Sequence, residues 1–220
     1  MSSAGEKAAA LCAAVVRTAQ ALDAAGFCPS KSGNVSVRQG ERVLITPSGL
    51  PYAAMQPDDI VEIDLEGRRT GGSERKASSE WPFHAAIYKG RPDAAAIVHT
   101  HSPYATALSC ARRDIPAFHY MIALGGGADI RCADYATFGT QALADNAVAA
   151  LEGRRAVLLA NHGVITIGQT LAGAQTLAGE VENLARQYLA LLAAGLDPAI
   201  LDAPEMERVT AQFKGYGRAV

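Results

Sequence analysis

Two histidines one residue apart, His99 and His101, close the apolar run Ala96-Ile97-Val98. On a strand, side chains alternate faces, so both imidazoles point the same way while Thr100 points the other. On a helix, residues two apart do not face each other, so the pairing has a use only on a strand. Two adjacent imidazoles suit a divalent transition metal. The plainer reading is two histidines that merely satisfy hydrogen bonds. Two further positions offer donors of the same kind: Glu80 in Ser78-Ser79-Glu80-Trp81, and His162 in Asn161-His162-Gly163. One carboxylate and three imidazoles form a set that zinc accepts at about 2.0–2.2 Å. A catalytic site keeps one position for substrate, and a carboxylate that leaves can serve as a general base. The plainer readings are a glutamate favoured by a helix dipole and a core histidine in a tight turn.

These donors need elements to hold them. Ser102-Pro103 reads as a helix N-cap followed by proline at the first helical position, which starts a short helix over 104–110. Ser79 reads as the N-cap of another helix, with Pro82 in its first turn. Ser78 and Ser79 at such an N-terminus are placed to receive an anion. His84, one turn after Glu80, reads as a helix-face residue packing on a sheet rather than as an extra ligand. His162 falls at the corner between strands at 156–160 and 164–167, where Gly163 relieves crowding.

Upstream, Val35 and Val37 alternate with Ser36 and Arg38, which predicts a strand entered by the turn Ser32-Gly33-Asn34. Gly40-Glu41 turns the chain into a strand at 42–46, followed by Pro47-Ser48-Gly49. Two such turns at the same end of neighbouring strands would present N–H groups, hydroxyls and an amide to an anion. The plainer reading is two ordinary hairpin turns. A third strand covers 60–64, and the polar, glycine-rich stretch 66–76 reads as an exposed, mobile connection. Gly125-Gly126-Gly127 breaks regular structure and lacks dinucleotide-fingerprint spacing. Helices are predicted over about 6–25, 141–151, 171–194 and 204–214. Helices at both ends enclose a strand-rich middle, so the pattern is that of an α/β sandwich. No repeat or linker divides it, so residues 1–220 read as one domain.

Composition narrows the class. With 220 residues, 49% hydrophobic and 19% charged, the chain can bury a sizeable core. A net charge of -2 without a basic block argues against nucleic-acid binding. Four scattered cysteines without Cys-x-x-Cys spacing favour reduced thiols and a cytoplasmic setting. The N-terminus lacks the pattern of a signal peptide. No stretch approaches the roughly 20 apolar residues of a membrane span, so no membrane partner is expected.

Taken together, the motifs resemble the class II aldolase/adducin family. The matching segments are Gly33-Asn34-Val35-Ser36-Val37-Arg38, Ile45-Thr46-Pro47-Ser48-Gly49, Ser78-Ser79-Glu80-Trp81, Val98-His99-Thr100-His101, His119-Tyr120-Met121-Ile122, Tyr135-Ala136-Thr137-Phe138-Gly139-Thr140 and Asn161-His162-Gly163. They occur in family order. The resemblance implies a single-domain three-layer α/β/α sandwich with a central, mostly antiparallel sheet. It implies a zinc-dependent lyase, with Mn2+ or Co2+ as alternatives, in a homotetramer with sites between subunits. Glu80, His99, His101 and His162 match the metal positions, and Asn34, Ser48, Gly49, Ser78 and Ser79 the phosphate cradle. Tyr120 matches a catalytic tyrosine contributed by a neighbouring subunit. Phe138, Phe213 and Tyr216 match residues lining the aldehyde end, Tyr216 among the catalytic ones.

The implied reaction is cleavage of L-fuculose 1-phosphate, or of a 5-deoxy- or 5-methylthio-pentulose 1-phosphate, to dihydroxyacetone phosphate and a short aldehyde. The alternatives within the family are a pentulose-5-phosphate 4-epimerase and a non-catalytic adducin-like domain. Two departures stand out. Lys31 occupies a position where relatives often carry a small polar residue, and Asp129 lies near where the epimerases place an acid.

Overall fold

The computed structural model describes residues 3–215. Nine strands form one sheet: β1 Asn34–Gln39, β2 Arg42–Ile45, β3 Val61–Asp64, β4 Arg69–Gly72, β5 Ala96–Thr100, β6 Ile115–Pro116, β7 Asp129–Ala133, β8 Ala156–Leu159 and β9 Gly163–Gly168. Their order across the sheet is β4-β3-β2-β1-β5-β9-β8-β7-β6. Every pairing is antiparallel except β7 with β8. The helices are α1 Ser3–Ala24, α2 Trp81–Gly90, α3 Pro103–Cys110, α4 Gln141–Ala150, α5 Leu171–Ala193 and α6 Ala203–Gly215.

Strand alternation sorts the core into layers. Val43, Ile45, Val61, Ile63, Ile97, Val157 and Ile165 pack with Phe83 and Ile87 of α2 and with Leu143 and Ala147 of α4. The other face is lined by Val35, Val37, Ala96 and Val98, which meet α1 and α5, and by Leu158 and Val164, which meet α3 and α5. Both faces are thus covered, giving the three-layer α/β/α sandwich with a mostly antiparallel sheet. The central strands read as continuous apolar runs for this reason.

Four local expectations change. Residues 66–76 contain the edge strand β4, paired to β3 alone. Residues 129–133, left without an element by the sequence pattern, form β7. The N-cap of α2 is Glu80, not Ser79; the Ser78 hydroxyl accepts the Glu80 N–H at 3.3 Å and makes the tight entry. Ser102 does stand at the N-cap of α3, but its side chain makes no cap. The buried Glu182 of α5 takes that role, accepting the N–H groups of Tyr104 at 2.9 Å and Ala105 at 2.8 Å. Such a carboxylate satisfies two otherwise orphaned donors and complements the helix dipole. Among the described residues no helix is long and apolar enough to cross a membrane.

Candidate metal centre

β1, β5 and β9 lie side by side, and the site is built at one end of them. His99 on β5 pairs in register with Asn34 on β1 and with Ile165 on β9. Its ring faces α2, edge-on to Phe83 at 5.3 Å between centroids. His101, two residues on, points the same way, and the two Nε2 atoms are 3.0 Å apart. His162 comes from the corner between β8 and β9. The three ring centroids form a nearly regular triangle with sides of 4.8–4.9 Å. Glu80 approaches from the start of α2, with Oε2 at 3.2 Å from His99 Nε2 and Oε1 at 3.1 Å from His162 Nε2.

Two glycines allow this convergence. A Cβ on Gly33, which also adopts φ +89°, would stand 2.6 Å from the His99 carbonyl oxygen. A Cβ on Gly163 would run into the Thr100 carbonyl oxygen and crowd the rings of His99 and His101. The crowding expected at the corner is therefore real, and only glycine passes.

The donor set fits a divalent ion. Ligand atoms from the four residues lie within 4.8 Å of one another. Ligands about 2.0–2.1 Å from one tetrahedral ion sit about 3.3 Å apart, close to the spacings above. His99 Nδ1 donates to the Val164 carbonyl at 2.9 Å, so Nε2 is the ring nitrogen left facing the centre. Burial, with His99 and His162 beside it, pulls His101 down to about 3, which keeps it neutral. Burial alone would push the Glu80 carboxyl up, but His99 and His162 outweigh it and hold the group well below the usual carboxylate range. Glu80 Oε1 is buried and makes no well-directed hydrogen bond, which is the state expected of an oxygen intended for a cation.

A cavity of about 320 Å³ opens above Glu80, His101 and His162, with His99 fully buried beneath. Its walls are the Lys31-Ser32-Gly33 turn and the segments Ser48-Gly49 and Ser78-Ser79. The bridge between Pro47 and Ala77 holds the latter two segments together. The N–H groups of Ser48 and Ser78 are taken by the carbonyls of Lys76 and Thr46. Among the described residues, no hydrogen bond takes the N–H of Gly49 or Ser79. Phe138, 64% exposed, and Tyr135 form the outer rim.

Asn34 also lines the cavity, whereas Tyr120 and Asp129 do not. The Asn34 amide is held by two protein groups: its nitrogen donates to Glu80 Oε2 at 2.9 Å, and its oxygen meets His84 Nε2 at 2.5 Å. Tyr120 is 51% exposed and lies outside the cavity, its ring stacked with Phe213 at 6.2 Å between centroids. Tyr216 lies outside the described residues. Asp129 on β7 is paired with Arg154 at 2.7 Å and Arg131 at 3.6 Å, and does not line the cavity.

His84 carries a pH signature of its own. It is fully buried, and burial lowers it from an ordinary 6.5 to about 3. The folded chain therefore leaves it neutral at acidities where the unfolded chain protonates it. Its contribution to stability is complete above pH 6.5 and drains away as pH falls towards 3. Within that window the slope is about 1.4 kcal/mol per pH unit. Urea unfolding of the metal-free protein between pH 7 and pH 4.5 should show this loss; a midpoint that does not move would contradict it.

Residues 13–189 match the family of class II aldolase and adducin N-terminal domains. The chain is 53% identical over 203 residues to a 5-methylthioribulose-1-phosphate/5-deoxyribulose-1-phosphate aldolase of Rhodospirillum rubrum, covering 92% of this chain and 90% of the relative. It is 44% identical to an L-fuculose phosphate aldolase of Escherichia coli K12, covering 92% and 94%. A solved L-fuculose 1-phosphate aldolase superposes with a TM-score of 0.89 at 41% identity, covering 93% of this chain and 96% of the other. The chain belongs to the class II aldolase and adducin family. Within it the chain is a lyase rather than an adducin-like interaction domain, and the fold and activity implied by the motifs are borne out.

Proposed function

We propose that this chain is a zinc-dependent aldolase that splits a ketose 1-phosphate reversibly to dihydroxyacetone phosphate and a short aldehyde, as a cytoplasmic homotetramer. The observation that carries the reading is the floor of the cavity: one buried carboxylate and three imidazoles converge beneath a wall of small hydroxyl residues. A bound divalent ion would supply Lewis-acid stabilisation of the negative charge that grows on the substrate as its C3–C4 bond breaks.

The chain's own groups do the rest. Ser48, Gly49, Ser78 and Ser79 would receive the phosphate through hydroxyls and the two N–H groups without protein partners, while Asn34, expected in the same cradle, stands at its base with its amide held by Glu80 and His84. The reaction carries one proton from the C4 hydroxyl to C3, so none is consumed overall. Glu80, once away from the histidines that hold it ionised, would take up a proton and deliver it to C3, while the proton received by Tyr120 returns to solvent, so both groups reset each turnover. Tyr120 of a neighbouring subunit takes the C4 hydroxyl proton in cleavage and returns it in synthesis, with Tyr216 assisting at that end. Phe138 on the rim covers the departing aldehyde.

The 53% identity to an aldolase named for 5-methylthio- and 5-deoxyribulose 1-phosphates favours those over L-fuculose 1-phosphate. The ion pairs that occupy Asp129 withdraw support from the epimerase alternative.

Product analysis over a panel of ketose phosphates tests this. Dihydroxyacetone phosphate should appear from the 1-phosphates, while L-ribulose 5-phosphate should give no epimer. Epimer formation without triose phosphate would replace the reading. Ser79→Ala should raise KM for the phosphorylated ketose about tenfold, the value of one charge-assisted hydrogen bond. An equal loss with the unphosphorylated ketose would remove Ser79 from the cradle.

A further inference from the structure

Behind the metal centre runs a buried chain of polar side chains that joins Glu80 to residues the cleavage steps do not use. Asn34 and Ser36, two apart on β1, point to the same face, towards α2. Glu80, His84 and Tyr88, each four residues apart, share the face of α2 that meets them. The links are Glu80 Oε2 to Asn34 Nδ2 at 2.9 Å, Asn34 Oδ1 to His84 Nε2 at 2.5 Å, His84 Nδ1 to Ser36 Oγ at 2.7 Å, and Ser36 Oγ to Tyr88 OH at 2.8 Å. Ser36, His84 and Tyr88 are fully buried, and Asn34 nearly so.

The chain has one direction, and chemistry sets it. An ionised carboxylate only accepts, so the Asn34 atom facing Glu80 is the amide nitrogen. The amide oxygen then faces His84, and His84 Nε2 must carry the hydrogen. A neutral imidazole has only one, so Nδ1 accepts from the Ser36 hydroxyl. That hydroxyl has a single hydrogen, so the Tyr88 hydroxyl donates to Ser36. Each group hands a hydrogen bond towards Glu80, and aligned bonds polarise one another in the same sense. An asparagine amide is nearly symmetric in shape and can turn over at little steric cost. His84 removes that freedom, because a turned amide would set N–H against N–H on one side and oxygen against carboxylate on the other.

We propose that His84 is the positioning residue of Glu80, acting through Asn34. It locks the Asn34 amide so that Glu80 Oε2 stays anchored and Oε1 remains the oxygen available to a cation and a proton. This rests on the proposed role of Glu80 only for its effect on turnover; the effect on ion binding needs no substrate.

The test joins one spectroscopic measurement to two variants. In the metal-free protein, 15N spectra of the His84 ring should show the neutral form with hydrogen on Nε2. His84→Leu should weaken Zn2+ binding, measured by competition with a chromophoric chelator, about 10- to 100-fold. It should lower kcat by a similar factor while KM for the phosphorylated ketose stays within about threefold, because the phosphate wall is untouched. His84→Gln, which can still present an amide N–H to Asn34, should recover most of both losses. Hydrogen on Nδ1, a His84→Leu protein with unchanged ion affinity, or a His84→Gln protein as impaired as His84→Leu would each overturn the proposal. If His84→Leu does not fold, the ring tautomer and His84→Gln still decide it. If Glu80→Gln retains full turnover, the role of Glu80 in catalysis fails, while tautomer and ion affinity still test His84 separately.

Discussion

Chelation of the divalent ion abolishes cleavage and leaves the fold standing, and one equivalent of Zn2+ per chain restores turnover. That is the expected result, and both halves follow from where the ligands sit. His99 is anchored inside β5 with β1 and β9 on either side. Its Nδ1 hydrogen bond to Val164 persists without the ion. Glu80 keeps partners too, in Asn34 and the two nearby imidazoles. The hydrophobic layers on both sheet faces do not involve the centre, so the sandwich holds. Turnover does not, because without the ion the floor of the cavity offers a carboxylate and imidazoles where negative charge grows as the carbon–carbon bond opens. A Lewis acid is worth several kcal/mol to that step, so the loss should reach about a thousandfold or more. His99→Ala should reproduce the loss, and added Zn2+ should not rescue it. Ion analysis alongside rate measurements settles the matter: full turnover with metal far below one ion per chain would refute the centre as the catalytic device.

How much of this was written in the sequence depends on the range of the interaction that fixes each residue. The shared face of His99 and His101 follows from the two-residue period of a strand, and the structure keeps it. The starts of α4 and α5 agree with the ranges read from the sequence, and in the structure Thr140 and Thr170 cap their first turns through their own hydroxyls, a signal local to the chain. β4 was hidden because an exposed edge strand of glycine and polar residues has the composition of a loop, and only β3 makes it a strand. β7 was hidden because it pairs in parallel with β8 across the intervening α4, and a parallel pair leaves no turn signal. Glu182 is separated by more than seventy residues from the helix start it caps, which no local pattern reports. The polar chain behind Glu80 lies between these cases. Its spacings, 34 and 36 on a strand with 80, 84 and 88 on a helix, were visible. What was missing was the knowledge that β1 and α2 face each other, so His84 read only as a helix-face residue.

The tyrosine supplies the second large effect, because the structure separates Tyr120 from the centre that the resemblance asks it to serve. It opens the turn at 120–125, half exposed, stacked on His119 at 4.9 Å and on Phe213 at 6.2 Å between centroids. Neither it nor its neighbours line the cavity above Glu80. A proton-transfer group in this position acts on a second copy of the chain or not at all. Tyr120→Phe removes only the hydroxyl, so kcat should fall about 10²- to 10⁴-fold with KM little changed. Mixing subunits then asks which chain the hydroxyl serves. Tyr120→Phe and Glu80→Gln chains should each be inactive alone. Co-expressed in equal amounts in a ring of four, about one quarter of the sites would pair an intact glutamate with an intact neighbouring tyrosine. Turnover near one quarter of the unmodified level is therefore expected. If the hydroxyl served its own chain, every site would carry one lesion and the mixture would stay as inactive as its parents, and the shared site would have to be abandoned.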